Sequence, residues 1–382
     1  MSVRPRVVIG TWFYDNQPGF LDFKYRIEAL ARHYDVILVL RDASFEKNFA
    51  CDLLTVKILP TERTGKRPLF DFIRRLAHLV RSEKPDLVFL LGSQLALASW
   101  LISSAPVVLY WNEHPSHFFG GQPRAQFLKR LLGSLLVRAS FLAAARCRLV
   151  MPIGEAHYED LLQHGVSRAR LELVYMGVSG DFSGQGSDRE ARGTGARLHL
   201  IYTGTVARER GRDVMLEGLA IACRAGVPCQ LTLVGADEDQ RRYCVNRARE
   251  LGLSDEMLTV VGRVPGPEIP RYLRQADLGI CIWEDRLWWR FNPPTKLFEY
   301  LVAGLPVLAS RIRTHTDYID DGVNGFVFDY DPKSLAQCLE RIWAQRSDLS
   351  KASHRAVLSG EQFKWTGIEP RFLNLVHDAC PG

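Results

Sequence analysis

The residues of this 382-residue chain best suited to chemistry lie between Asn292 and Gly325. The stretch opens Asn292-Pro-Pro-Thr-Lys-Leu-Phe-Glu299. It reads as the start of a helix, because prolines suit a first turn whose N–H groups lack helical partners anyway. Free N–H groups and the helix dipole at that end attract a phosphate or a polyol. Lys296 and Glu299 stand three residues apart and share one face. A carboxylate there can accept two hydrogen bonds at once from vicinal sugar or ribose hydroxyls. The same spacing also suits a surface ion pair on an ordinary capped helix. Gly304 closes the helix and Pro306 enters the next strand. Earlier in the chain, Val107-Val-Leu-Tyr-Trp111 runs off a strand end into Asn112, Glu113 and His114, a polar cluster or a capped turn. Trp283, Trp288, Trp289 and Phe291 precede the helix and suit either stacking on a ligand or packing.

Such groups need a frame, and the hydrophobic pattern supplies one. Short apolar runs predict strands at 6–9, 36–40, 55–59, 87–91, 107–111, 148–152 and 171–175, with helices at 20–33, 69–83, 94–103, 123–145 and 155–164. Residues 179–196 hold five glycines and one aromatic, which reads as a linker. The alternation restarts with strands at 198–202, 230–234, 258–261, 278–282 and 307–309. Helices are expected at 211–225, 238–251, 267–275, 294–303 and 332–344. Continuous apolar strands alternating with helices imply parallel sheets covered on both faces. The expected organisation is therefore two α/β domains, 1–178 and 197–360, with the linker 179–196 between them. Ligands of such sheets sit beyond the carboxyl ends of the strands, so two facing sheets would make an interdomain cleft.

Composition narrows the class. The chain is 47% hydrophobic and 24% charged, as an ordinary globular protein is. Its net charge of +6 allows an anionic partner but calls for no nucleic acid. Eight scattered cysteines form no Cys-x-x-Cys and no zinc-like spacing, so they read as reduced thiols, most of them buried. No signal peptide and no membrane span are expected, which points to the cytoplasm. Residues 114–154 carry six Lys or Arg and no acid, and Phe127, Leu128, Leu131, Leu132 and Leu135 share one helical face there. That pattern fits a helix lying on an anionic membrane at the inner face of the cell, or a domain helix with a solvated basic edge.

Several strings taken in order resemble the GT-B glycosyltransferases, and more narrowly family four of the retaining, nucleotide-sugar-dependent enzymes (glycosyl transferases group 1). They are Tyr202-Thr-Gly-Thr205 with Arg210-Gly211, Leu233-Val-Gly235, Val261-Gly-Arg-Val264, and Ile269 through Asp277. Thr295-Lys-Leu-Phe-Glu-Tyr-Leu-Val-Ala-Gly-Leu-Pro306, Ile319 through Phe326, and Phe363-Lys-Trp365 complete the series. The match covers about residues 150–380, and the first 150 match in pattern only. It implies a GT-B fold of two Rossmann-like domains facing a cleft, with a last helix at about 361–382 returning to the first domain.

It also implies roles. Glu299 would hold the nucleotide ribose, while the sugar-binding Glu expected eight residues earlier is Phe291, leaving Asn292 to bond a sugar hydroxyl. Arg210 would bind the diphosphate with Lys296. The usual partner cation falls at Thr205, and Arg208 could replace it. Gly204, Thr295 and Leu297 complete the expected donor-binding set. His114 would contact the donor sugar; Glu113 is the alternative there and could instead orient the acceptor hydroxyl. The loop between Gly10 and Gly19, with Trp12, Phe13, Tyr14, Asp15 and Asn16, would lie on the acceptor side. The resemblance implies a nucleoside-diphosphate sugar as donor, a glycan or lipid-linked acceptor in surface polysaccharide synthesis, and no cofactor or metal. A nucleotide-sugar epimerase and a non-catalytic nucleotide-sugar-binding subunit are the alternatives on the same scaffold.

Overall fold

The computed structural model describes residues 4–13, 19–49, 51–61, 66–120, 127–184 and 195–380. Tyr14, Asp15 and Asn16, the expected helical residues 123–126 and linker residues 185–194 lie outside them. The chain divides into two compact units, Met1–Gly177 with Gly367–Gly382, and Val178–Thr366.

The first unit is a six-stranded sheet of β1 (Arg6–Thr11), β2 (Asp35–Leu40), β3 (Thr55–Ile58), β4 (Leu87–Leu91), β5 (Val107–Trp111) and β6 (Leu149–Pro152). Its order is β3-β2-β1-β4-β5-β6, and every pairing is parallel. The second unit holds β7 (Leu198–Thr203), β8 (Cys229–Val234), β9 (Leu258–Val261), β10 (Leu278–Cys281), β11 (Val307–Ser310) and β12 (Gly325–Phe328). Its order, β9-β8-β7-β10-β11-β12, repeats the same arrangement, again all parallel. β4, β5, β10 and β11 are buried along their whole length, as central strands covered on both faces must be.

Departures from the sequence reading have local causes. The run 171–175 is no strand. It lies along β6 through a single bridge from Leu171 and backbone bonds from Glu172 to Val150 and Val174 to Pro152, and then Arg26 draws the Tyr175 carbonyl away. The helix expected at 94–103 is a 3-10 helix at Ser93–Trp100. The tighter winding spans about 16 Å in eight residues, where an α-helix would span about 12 Å. β12 was hidden among turn residues. Any Cβ at Gly325 would stand 2.3 Å from the Val307 carbonyl, so the glycine is what lets β12 pair with β11. The helix Leu349–Gly360 was also missed, its apolar positions being spaced among Ser, Lys and His.

One polar cluster is sealed inside the first unit. The Arg26 guanidinium, 0% exposed, donates to both Asp22 oxygens (3.1 and 2.9 Å) and to the Tyr175 carbonyl at 2.7 Å. Asp22 also accepts from Tyr110 Oη at 2.5 Å and from the Gly177 N–H at 2.8 Å. Trp12 and Phe13, expected in a ligand-side loop, are 5% and 2% exposed. Trp12 meets Phe72 edge-on, and Phe13 sits among Phe20, Phe23, Phe45 and Phe49. Their apolar area is spent in the core, so neither is presented to a ligand.

Candidate functional site

In the second unit the strand order reverses at β7 and β10, and the groups beyond their carboxyl ends converge. β7 ends at Thr203, and Gly204 follows at φ +118°. Gly235, after β8, takes φ +113°, and a Cβ there would stand 2.6 Å from the Gly204 carbonyl. The two turns therefore approach as only glycine allows. The helix Thr295–Val302 follows Pro293 and Pro294, as the prolines predicted. It is fixed to the end of β7 by Tyr300, whose hydroxyl accepts from the Thr203 N–H at 2.9 Å and meets Thr203 Oγ1 at 3.0 Å. Gly279 in β10 makes room for that ring, since a Cβ would fall 2.5 Å from it.

This frame aims Lys296 across the Gly204 turn. Its Nζ lies 3.6 Å from the centre of the Tyr202 ring, and a Cβ at Gly204 would approach it to 3.1 Å. Arg210 places its guanidinium 5.5 Å from both Trp283 and Trp289, whose rings stack at 5.5 Å. Ser310 Oγ holds Trp283 by accepting its N–H and donating to its carbonyl, each at 2.9 Å. Thr314 holds the Trp289 carbonyl at 2.6 Å. Among the described residues neither Lys296 nor Arg210 has an ion-pair partner, and the Glu299 carboxylate has no hydrogen bond or ion pair. Burial, with the positive charge of Arg210 nearby, pulls the Lys296 ammonium down to about 7. Burial likewise pushes the Glu299 carboxyl up to about 7. Both side chains are deeply surrounded yet keep some exposed surface, as at the floor of an open site. The remaining neighbours are neutral. Cys281 is raised to about 12, and His315, between Ser310 and Cys281, is lowered to about 4 by burial. Lys296 and Arg210 thus lie near one another with no ion-pair partner among the described residues; Glu299 attracts Lys296 without reaching it in a salt bridge, and an incoming diphosphate would relieve both cations.

The other expected donor residues fare differently. Thr205 is exposed, and its carbonyl accepts from Tyr202 Oη at 3.0 Å. Arg208 projects into solvent, 86% exposed, with Asp213 4.0 Å away, so it does not join Arg210. Asn292 and Thr295 are half-buried at the helix start. Leu297 is 0% exposed and its N–H is taken by the Pro294 carbonyl at 3.0 Å, so it is a core residue with no donor left to offer. Trp283, Trp289, Tyr202 and His315 were not assigned to the site from sequence. The clustering of tryptophans before the helix and the place of Tyr202 at the head of a matching string hinted at three of them, and nothing pointed to His315.

In the first unit Glu113 and His114 follow β5. His114 is 6% exposed, and its Nδ1 accepts from the Ser116 N–H at 3.2 Å, which leaves the proton on Nε2, 3.4 Å from Asp160. Nδ1 is thus held by Ser116, and Nε2 faces the Asp160 carboxylate without a hydrogen bond to it. Glu113 Oε1 pairs with His117 at 2.8 Å, while buried Oε2 has no partner among the described residues. Asn112 Oδ1 and Trp111 Nε1 beside it are likewise buried and unpartnered. Cys147, Cys223, Cys229, Cys244, Cys281, Cys338 and Cys380 are free thiols, and no group of three metal-ligating side chains occurs among the described residues.

The model of "Glycosyltransferase Family 4" matches residues 25–182, and that of "Glycosyl transferases group 1" matches residues 197–345. The chain is 23% identical to the amylovoran biosynthesis glycosyltransferase AmsK of Erwinia amylovora, over 86% of each chain. It is 22% identical to spore coat protein SA of Bacillus subtilis over 55% of this chain, and spans 59% of that relative. It is 24% identical to D-inositol 3-phosphate glycosyltransferase of Arthrobacter over 48% of this chain, and spans 43% of that protein. HepE of Anabaena in complex with UDP superposes with a TM-score of 0.76 at 14% identity, covering 98% of this chain and 100% of that one. The same protein with UDP-glucose gives 0.72 at 16% identity, with the same coverage.

Proposed function

We propose, from the premise that this chain belongs to the GT-B glycosyltransferases of group 1 and family 4, that it moves a sugar from a nucleoside-diphosphate sugar to a hydroxyl of a glycan or lipid-linked acceptor in surface polysaccharide synthesis. The carrying observation is the pair Lys296 and Arg210, two neighbouring cations without an ion-pair partner among the described residues. A diphosphate laid against them supplies the missing charge. Charge grows on that diphosphate as its bond to the sugar breaks, and fixed cations already in place stabilise it without reorganising. Glu299, unpaired on the same helix face, accepts two ribose hydroxyls.

Transfer proceeds with retention of configuration. The bond from the anomeric carbon to the diphosphate breaks, the acceptor oxygen bonds that carbon from the same face, and its proton passes to the departing phosphate. Because the charge is met by side chains, turnover is expected without added divalent ion and unchanged by EDTA. Asn292 bonds a sugar hydroxyl in place of the carboxylate absent at Phe291. Glu113, just beyond β5, orients an acceptor hydroxyl, and His114 serves by fixing that turn. UDP is the first probe, since the fold neighbour HepE was obtained with it. UDP should raise the melting temperature, and Glu299→Ala and Arg210→Ala should each cut transfer about 10- to 100-fold, the loss of one or two charged hydrogen bonds. Unchanged transfer in both variants would remove this site from the reaction.

A further inference from the structure

The helix Phe127–Ala144 is docked on the first unit through Gly133, Ser140, Phe141, Ala143 and Ala144. Its opposite side shows solvent Phe127, Leu128, Leu131, Leu132, Leu135 and Leu142, between 48% and 77% exposed. At 100° per residue they fill an arc of about 140°. Apart from Phe141, the fully buried residues of this helix are small, while six large apolar ones face out, which a helix serving only its own core would not show. The surface continues onto the end of the 3-10 helix Ser93–Trp100. Trp100 and Leu101 are 45% and 41% exposed there. Ser99 Oγ donates to the Ala143 carbonyl at 2.8 Å, and Arg81 Nη2 donates to the Leu101 carbonyl at 3.2 Å, so the three elements present one layer.

An exposed apolar face of this extent marks a docking surface, and its charge selects the occupant. Lys129, Arg130 and Arg138 are exposed on the helix, and no acid occurs from 114 to 154. Arg81 adds charge from the helix Lys66–Glu83, where Arg74 is neutralised by Asp71 at 3.0 Å. A second copy meeting this face across a two-fold axis would set these cations against themselves. A bilayer with anionic headgroups matches both the apolar arc and its basic rim, with Trp100 at the polar boundary. We propose that this face binds anionic lipid bilayers, the leucines entering the boundary of headgroups and acyl chains without crossing. No described helix is long and apolar enough to cross a membrane.

The inference concerns the first unit's surface and does not depend on the transfer reading. The test is co-sedimentation of the full chain with vesicles of phosphatidylcholine, with and without phosphatidylglycerol, at low and high salt. Binding is expected to anionic vesicles, weakening with salt. Leu131→Glu with Leu135→Glu should abolish it while leaving the melting temperature unchanged, since both side chains are exposed. Lys129→Ala and Arg130→Ala should each weaken it about five-fold at low salt. Failure to bind anionic vesicles at low salt overturns the proposal. So does binding indifferent to the glutamate pair, or a dimer in vesicle-free solution that the glutamate pair dissolves.

Discussion

Replacing Lys296 by methionine should stabilise the empty protein and abolish its response to nucleotide. A lysine drawn from its ordinary 10.5 to about 7 carries a ceiling of about 5 kcal/mol, at about 1.4 kcal/mol for each pH unit. The ammonium keeps some solvent contact, so less than half of that is expected, about 2 kcal/mol. For a domain the size of the second unit this raises the melting temperature by about 4–8 °C. The sign follows from proton counts. The native lysine binds protons less tightly than the unfolded one, so its cost is fully present below pH 7. Between pH 7 and 10.5 the unfolded chain holds more protons than the native one, native stability climbs with pH, and the advantage of methionine fades. The assay is thermal melting of both proteins from pH 6 to 10, with and without UDP. Wild type at a hundredfold excess over its dissociation constant should gain about 2.7 kcal/mol, and the variant should gain little. A methionine variant that melts at or below wild type at pH 7, or that keeps the full UDP shift, refutes this reasoning.

Two further substitutions probe the frame. Gly235→Ala places a Cβ 2.6 Å from the Gly204 carbonyl at φ +113°. It should therefore cost about 1–3 kcal/mol and remove the UDP melting shift, while far-UV circular dichroism stays native. Asp22→Ala strands the sealed Arg26 guanidinium, and urea unfolding should show a loss of about 3–5 kcal/mol in the first unit. A loss below 1 kcal/mol would mean that water reaches Arg26.

The sheets were legible because parallel strands buried on both faces must be apolar throughout, as Leu87–Leu91 and Val107–Trp111 are. β12 was not, since Gly325 looks like a turn residue until its closeness to Val307 is seen. The helix carrying Lys296 and Glu299 was read from spacing, but spacing could not say whether they pair with each other. The structure leaves both without ion-pair partners and sets Lys296 against groups from β7, β10 and the segment after β11, with the charges of Arg210 and Glu299 acting on it. Tyr202 meets Lys296, and Arg210 meets Trp283 and Trp289, only through folding over long separations, which no local pattern encodes. Leu297 shows the converse. It lies within a matching string, yet a helix has an inner face, and position 297 is on it.

The first unit is built from both ends of the chain. Phe372, 0% exposed, lies 5.0 Å above the Arg26 guanidinium and meets Phe89 edge-on. Arg371 pairs with Glu172 at 3.0 Å, and Glu369 pairs with Arg32. During synthesis residues 1–177 leave the ribosome with that slot open, and the whole second unit emerges before the segment that fills it. The order of completion is thus opposite to the order of synthesis. The later half can finish folding first, and the earlier half stays locally unfinished, its Arg26 cluster uncovered, until the last helix arrives.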